Sequence, residues 1–374
     1  MKKRIGIITL QKSPVNYGAA LQCYALWRYV DMMGYDCEVV DIYRPCHKGY
    51  KYSPEFGEKG PGLVRRLKDF VKKILRPDKT FNNRNSLFED FHKQIRYSIP
   101  YKSVRELSKN PPIYDVYLTG SDQVWNPNQP IYNGSYFWEF CKQGGRKVSY
   151  ASSFSVDYLP EDCRCKYSQW LNEYTDLSVR EESGRVLIKS LIGRDSTLCL
   201  DPVFLLKQQE WKDLERTYEG IQNHYIFLYL VKLDDKMLEM SKQFAKQINL
   251  PLYVVLSQSR LVEDVEVKQF VDVGPYEWLY LIDHADYIMT DSFHGTSFSI
   301  IMEKPFLTLV NPEKNTNSRI TTLLCSINLE SHIISTDSEK PIRADLFDFD
   351  VHNATIELNK LIDVSKNYLE DALK

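Results

Sequence analysis

One stretch limits the fold more than any other: residues 287–310, YIMTDSFHGTSFSIIMEKPFLTLV. Residues 287–289 are an apolar run and read as a buried strand. A small polar turn follows, Thr290-Asp291-Ser292-Phe293-His294-Gly295-Thr296. Phe298, Ile301 and Met302 then recur at helical spacing. Lys304-Pro305 stops that helix, and residues 306–310 read as another strand. Such a turn is a common anion site. Free backbone N–H groups and the helix dipole point at whatever sits over it. In open α/β sheets, ligands bind at the carboxyl ends of strands, where this turn lies. His294 is either a buried, hydrogen-bonded strand-end histidine or a functional imidazole, a ring whose charge changes near neutrality when its surroundings allow. Asp291, Gly295 and the hydroxyls just after it favour the second.

The same grammar opens the chain. Residues 4–10 have a buried-strand pattern, 11–18 a loop, 19–33 a helix closed by Gly34, and 37–42 another strand. A β-loop-α-β unit predicts a parallel sheet. Its loop has one glycine at the helix start, not the G-x-G-x-x-G of a dinucleotide fold. Asn16, Tyr17 and Gly18 lie where that fold binds its ligand, although Asn16 and Gly18 would equally make the turn and cap the helix. Residues 114–118 form a strand running into Thr119-Gly120-Ser121-Asp122-Gln123-Val124-Trp125. Gly120 permits close backbone approach. Ser121, Asp122 and Gln123 can bond hydroxyls, and Trp125 offers a flat apolar face. A helix cap is the plainer role for Asp122. Further on, a short strand delivers Arg180 at its end. That residue is a natural clamp for a carboxylate or phosphate, or else an ion-pair partner of Glu181 or Glu182. Residues 147–152 read as one more strand.

Asp201-Pro202 reads as a turn between halves. The α/β pattern then repeats, with strands at 225–231, 252–256 and 270–273 and helices at 236–248 and 276–284. The expected division is residues 1–203, with a helical insertion at about 45–112, then 204–350. A final helix within 351–374 is expected to pack back towards the first domain. A chain of 374 residues agrees with two domains.

A net charge of −2 gives no global basic field for nucleic acid. The eight cysteines are dispersed with no C-x-x-C pair, which predicts reduced thiols and no metal site. The basic start lacks the apolar length and cleavage site of a signal peptide. No stretch approaches the roughly 20 apolar residues of a membrane span. These features predict a cytoplasmic protein. Residues 63–76 read as a basic amphipathic helix. It would either pack on its domain or make a peripheral contact with an anionic membrane at its inner face. Tyr and Phe number 25 and 17; aromatic faces stack on sugars and fill cores alike, so the count does not choose.

Six blocks taken together resemble the polysaccharide pyruvyl transferase family. They are Asn16-Tyr17-Gly18-Ala19, Gly120-Ser121-Asp122-Gln123-Val124-Trp125, Ser149-Tyr150-Ala151-Ser152-Ser153-Phe154, Ser178-Val179-Arg180-Glu181-Glu182-Ser183, Asp201-Pro202 and Thr290-Asp291-Ser292-Phe293-His294-Gly295. They run in order to about residue 310, and those around Asp122 and His294 are the specific ones. The resemblance implies an α/β, GT-B-like fold, with two Rossmann-like domains of parallel sheets facing across a cleft. It implies phosphoenolpyruvate as co-substrate, with no cofactor or metal. The acceptor would be a sugar diol on a bacterial capsular or exopolysaccharide or its lipid-linked precursor, and the product a pyruvate ketal.

The family associates an Arg and a His with the donor, here Arg180 and His294. Some members carry Arg-Leu-His where this chain has Ser292-Phe293-His294, so one donor arginine is missing; Lys304 and Arg319 are the candidates to replace it. The expected donor site is Arg180, Ser292, Phe293, His294, Gly295, Thr296 and Lys304. The expected acceptor site is Asn16, Tyr17, Gly18, Ser121, Asp122, Gln123 and Trp125. Ketal formation needs an acid near C3 of the enol and a base near the attacking hydroxyl. His294 is the expected acid, and Asp122 or Asp291 the base. Two other functions suit the same residues: a GT-B glycosyltransferase using a nucleotide sugar, and a non-catalytic glycan-binding protein.

Overall fold

A computed structural model of the chain describes residues 2–12, 16–60, 82–141, 144–312, 318–338 and 340–374. The basic amphipathic segment at 63–76 lies outside the described residues.

The first half holds β1 (Arg4–Ile8), α1 (Tyr17–Met32), β2 (Asp36–Val39), α2 (Asn82–His92), α3 (Val104–Lys109), β3 (Val116–Thr119), β4 (Arg146–Ser149), α4 (Glu161–Asn172) and β5 (Tyr174–Asp176). Its five strands lie in the order β2-β1-β3-β4-β5, and every pairing is parallel. A small pair, β6 (Ser178–Val179) and β7 (Thr197–Leu198), extends this region around α5 (Glu182–Ile192).

The second half begins with α6 (Gln208–Lys212). It continues with β8 (Ile226–Leu230), α7 (Asp235–Ile248), β9 (Leu252–Leu256), β10 (Lys268–Gln269), α8 (Pro275–Asp283), β11 (Tyr287–Thr290), α9 (Phe293–Ile301), β12 (Phe306–Val310), α10 (Ser318–Ser326) and β13 (Ile333–Ser335). Its six-stranded parallel sheet has the order β10-β9-β8-β11-β12-β13. The central strands β8 and β9 are buried along their whole length, as a parallel sheet covered on both faces requires.

One expected strand is displaced. The ladder in that region is formed by Lys268 and Gln269 and closed by the Phe270 N–H on the Val254 carbonyl at 2.9 Å, so residues 271–273 lie past it. Phe270 packs against Tyr218 and Tyr253. The chain then turns so that the Val273 carbonyl accepts a hydrogen bond from the Tyr17 hydroxyl at 2.8 Å.

Helix α1 joins the two halves. Asn16 caps it by accepting the Ala19 N–H at 3.0 Å, and ten consecutive residues from Tyr17 to Leu26 are buried. A surface helix would bury only a stripe. This one is covered all round because it lies between two bodies. Tyr17 stacks on Trp278 with ring centroids 5.4 Å apart. Ile5 and Leu21 of the first half share one apolar cluster with Trp211, Trp278 and Phe298 of the second.

The last helix, α11 (Val351–Leu373), returns to the first sheet. The Tyr368 hydroxyl donates to the Ser149 carbonyl, the Leu200 N–H to the Ser365 hydroxyl and the Tyr29 hydroxyl to Glu370, each at 2.9 Å. All eight cysteines are free thiols.

Candidate active site

The turn between β11 and α9 is closed by its own residues. Ser292 caps α9, its hydroxyl accepting the Gly295 N–H at 3.3 Å. The Thr296 N–H bonds to the Ser292 carbonyl at 2.9 Å, and the Thr296 hydroxyl pairs with that of Thr308 at 2.8 Å. Gly295 is pressed onto the strand: a β-carbon there would stand 2.3 Å from Thr290 Oγ1. The N–H groups of Gly295 and Thr296 are therefore consumed locally, and both residues serve helix-on-strand packing rather than donor binding. What this turn presents to the first domain is the side chain of His294.

His294 meets a cluster built from the other half. Asp201, fully buried just before the 3-10 turn Pro202–Leu205, is its hub. Its carboxylate receives Arg180 Nη1 in a close ion pair. It also accepts the Ser121 hydroxyl at 2.9 Å and the Val203 N–H at 3.2 Å. His294 Nε2 lies 3.6 Å from the same carboxylate. That nitrogen is buried and has no hydrogen-bond partner among the described residues. Burial works to raise the Asp201 pKa, but the charges of His294 and then Arg180 outweigh it. The carboxyl is held well below the usual range.

Arg180 carries a second carboxylate. Its Nη2 donates to Asp122 Oδ1 at 3.3 Å. Burial opposes its charge, yet Asp201 and then Asp122 prevail and raise its pKa. Of the two partners anticipated from sequence, Glu182 pairs with Arg185 at 3.1 Å and Glu181 is turned away. Its Oε1 accepts from the Ser153 hydroxyl at 2.8 Å and the Phe154 N–H at 3.0 Å. Arg180 is thus not an open clamp, since two of its three nitrogens already hold carboxylates. Asp122 is no helix cap. It adopts φ 67°, a left-handed backbone that Asp tolerates better than most residues but that still costs about 1–3 kcal/mol. This conformation turns its carboxylate towards Arg180.

Arg319 of α10 completes the cluster. Its Nη1 is 3.9 Å from Asp122 Oδ1. Both guanidinium groups lie over the Phe293 ring, Arg180 at 4.7 Å and Arg319 at 5.8 Å from its centroid. Of the two candidates to replace the missing donor arginine, Arg319 is at the site. Lys304 is not: its ammonium donates to the Asp283 carbonyl at 2.7 Å, at the far end of α9 from the turn.

The remaining candidates divide between site and scaffold. Gly18 touches the site directly, packed against the His294 ring. Ser121 orients Asp201. Asn16 is the α1 cap, and Tyr17 is a core residue with no exposure, packed on Trp278 of the second half. Trp125 is also fully buried, stacked on Phe137 at 5.3 Å, so it offers no face to a sugar. Gln123 accepts from Asn126 at 3.4 Å within its own loop. Asp291 faces a different strand end, accepting the Val231 N–H at 2.7 Å. Sequence reasoning missed the depth of Asp201. An Asp-Pro pair reads as a turn, and only its burial beside Arg180 shows that it organises the site.

Residues 16–312 match the family described as polysaccharide pyruvyl transferase. No curated protein matches the chain. Among solved structures, the UDP-N-acetylglucosamine 2-epimerase of Rickettsia bellii is similar with a TM-score of 0.55 at 11% identity, covering 100% of this chain and 96% of that one. The UDP-GlcNAc 2-epimerase of Methanocaldococcus jannaschii, in complex with UDP-GlcNAc and UDP, gives 0.49 at 12% identity over 82% and 83% of the two chains. At such identity the likeness concerns fold alone. The Rickettsia bellii likeness agrees with the two parallel α/β sheets described above, a GT-B-like arrangement.

Proposed function

Because this chain belongs to the polysaccharide pyruvyl transferase family, we propose that it moves the enolpyruvyl group of phosphoenolpyruvate onto two hydroxyls of a sugar. The product is a pyruvate ketal on a bacterial capsular or exopolysaccharide or its lipid-linked precursor. One observation carries the reading. Buried Arg180, Asp122 and Asp201, with half-buried Arg319 beside them, meet a histidine whose Nε2 has no hydrogen-bond partner among the described residues. A small anion bearing both carboxylate and phosphate suits such a site, because guanidinium groups in a desolvated setting bind oxyanions strongly.

The reaction balances without a cofactor. His294 donates a proton to C3, which becomes a methyl group, and C2 becomes electrophilic. One sugar hydroxyl adds to C2 and gives up its proton to Asp122. The C2–O bond to phosphate then breaks. The second hydroxyl adds to C2, and its proton leaves with the departing phosphate. Asp201 is a positioning residue, holding Arg180 and facing His294. Asp291 and Lys304 have no part in this scheme, because their bonds lie elsewhere.

The test is product mass with phosphate release. The protein is incubated with phosphoenolpyruvate and, separately, with nucleotide sugars, on a panel of glycans and lipid-linked oligosaccharides. A gain of about 70 Da, with one phosphate released per ketal, supports the proposal; the figure is the mass of pyruvate less water, read as a reaction-class signature. A gain of about 162 Da from a nucleotide sugar means hexose transfer on the same site-level logic, and overturns it.

A further inference from the structure

The two arginines of the cluster are not equivalent. Arg180 is 4% exposed and has both terminal nitrogens taken, Nη1 by Asp201 and Nη2 by Asp122, which leaves only Nε unpartnered among the described residues. The Arg319 side chain is 11% exposed and makes no hydrogen bond among the described residues. Its one ionic contact among the described residues is the 3.9 Å approach to Asp122, beyond hydrogen-bonding distance, and its Nε is buried without a partner among them. Withdrawing a guanidinium from water without supplying acceptors is unfavourable. Native structures seldom retain such a group unless something else supplies the acceptors. Burial, and then the Arg180 charge, push the Arg319 pKa down against the opposing pull of Asp122, Glu181 and Asp201. Two other nitrogens of the cluster, Arg180 Nε and His294 Nε2, are also buried with no hydrogen-bond partner among the described residues.

Phe293 accounts for the placement. Its ring lies under both guanidinium groups and is 5.2 Å from the His294 ring. A cation over an aromatic face is held there without using its N–H donors. Those donors stay directed at whatever enters.

We propose that Arg319, not Arg180, is the residue that grips an oxyanion of the donor. Arg180 instead positions Asp122 and Asp201. This assignment rests on the phosphoenolpyruvate reading above. The shared chemistry is a phosphate or carboxylate oxyanion, and the two sources are separated experimentally.

The experiment titrates phosphoenolpyruvate, inorganic phosphate and pyruvate into wild type, Arg319→Gln and Arg319→Lys by calorimetry, with melting temperatures recorded alongside. Arg319→Gln is expected to bind phosphoenolpyruvate about 10- to 100-fold more weakly, the order of one or two charge-assisted hydrogen bonds. Arg319→Lys recovers part of the loss. The melting temperature does not fall, because no native hydrogen bond is removed. Parallel loss of inorganic phosphate binding assigns Arg319 to the phosphate, and parallel loss of pyruvate binding assigns it to the carboxylate. Arg319→Gln binding all three anions like wild type overturns the assignment and leaves the donor reading standing. If wild type binds phosphate but not phosphoenolpyruvate, the donor reading fails, and the phosphate arm still decides for or against Arg319. If wild type binds none of the three, both fall.

Discussion

Gly18, in the first turn of α1, faces the imidazole of His294 so closely that a β-carbon there would stand 2.0 Å from Nδ1. The two residues lie 276 positions apart in a chain of 374, one in each half. Their contact places the start of the first crossover helix against the chemistry of the second sheet. It also gives Gly18 a reason that neither turn formation nor capping supplies.

Gly18→Ala is accordingly expected to displace His294 or to part the domains locally. Overpacking of this kind costs about 1–3 kcal/mol. Activity should fall well beyond that, because the ring is moved. A double-mutant cycle with His294→Ala checks it: removing the ring makes room for the methyl group, so the two stability losses should not add. Additive losses would mean that Gly18 acts elsewhere.

His294→Ala should reduce kcat by about 100- to 10,000-fold, the range of a general acid. Its stability should fall less than that of Asp201→Asn, since the ring's packing is lost but Nε2 has no hydrogen bond to lose among the described residues. Steady-state kinetics with phosphoenolpyruvate and urea melts separate the two effects.

Asp201→Asn should be the most destabilising substitution of the cluster, at about 3–5 kcal/mol, because it leaves buried Arg180 short of a carboxylate. The Asp201 pKa is depressed in the folded protein. Its contribution is therefore fully present above the unfolded-state value of about 3.9 and is lost as pH falls from there through the native value. In that window the unfolded chain binds a proton that the folded one does not. Urea melts at pH 7 and near pH 3 should show the gap between wild type and Asp201→Asn narrowing at the acid end.

Trp125→Phe should lower stability without changing the acceptor KM, since the indole is enclosed against Phe137 and Phe154. Tyr17→Phe should cost about 0.5–1.5 kcal/mol through loss of the Val273 hydrogen bond. Lys304→Ala should leave donor affinity unchanged. Any of the three altering substrate KM by tenfold would return that residue to the site.

Much of the architecture was legible because it is written locally. The apolar runs at β1, β8, β9 and β11, separated by helical periodicity, predict parallel crossovers, and those strands appear within a residue or two of the expected bounds. Residues 270–273 failed because their apolar character serves aromatic packing and the contact with Tyr17, not a ladder. At the site, the blocks around Asp122, Arg180 and His294 were visible as polar residues crowded at strand ends. Their roles were not visible. A motif shows which side chains sit on a turn. It does not show which of them are already bonded.

The sequence by itself therefore determined the parallel α/β architecture and the family to which the chain belongs. These follow from side-chain periodicity and turn chemistry within short windows. Tertiary structure alone decided that Asp201 is a hub, that Arg180 is paired twice while Arg319 is not, and that Trp125 and Tyr17 are core. Burial and hydrogen-bond satisfaction depend on what the other half of the chain brings within a few ångströms, and no local window contains that partner.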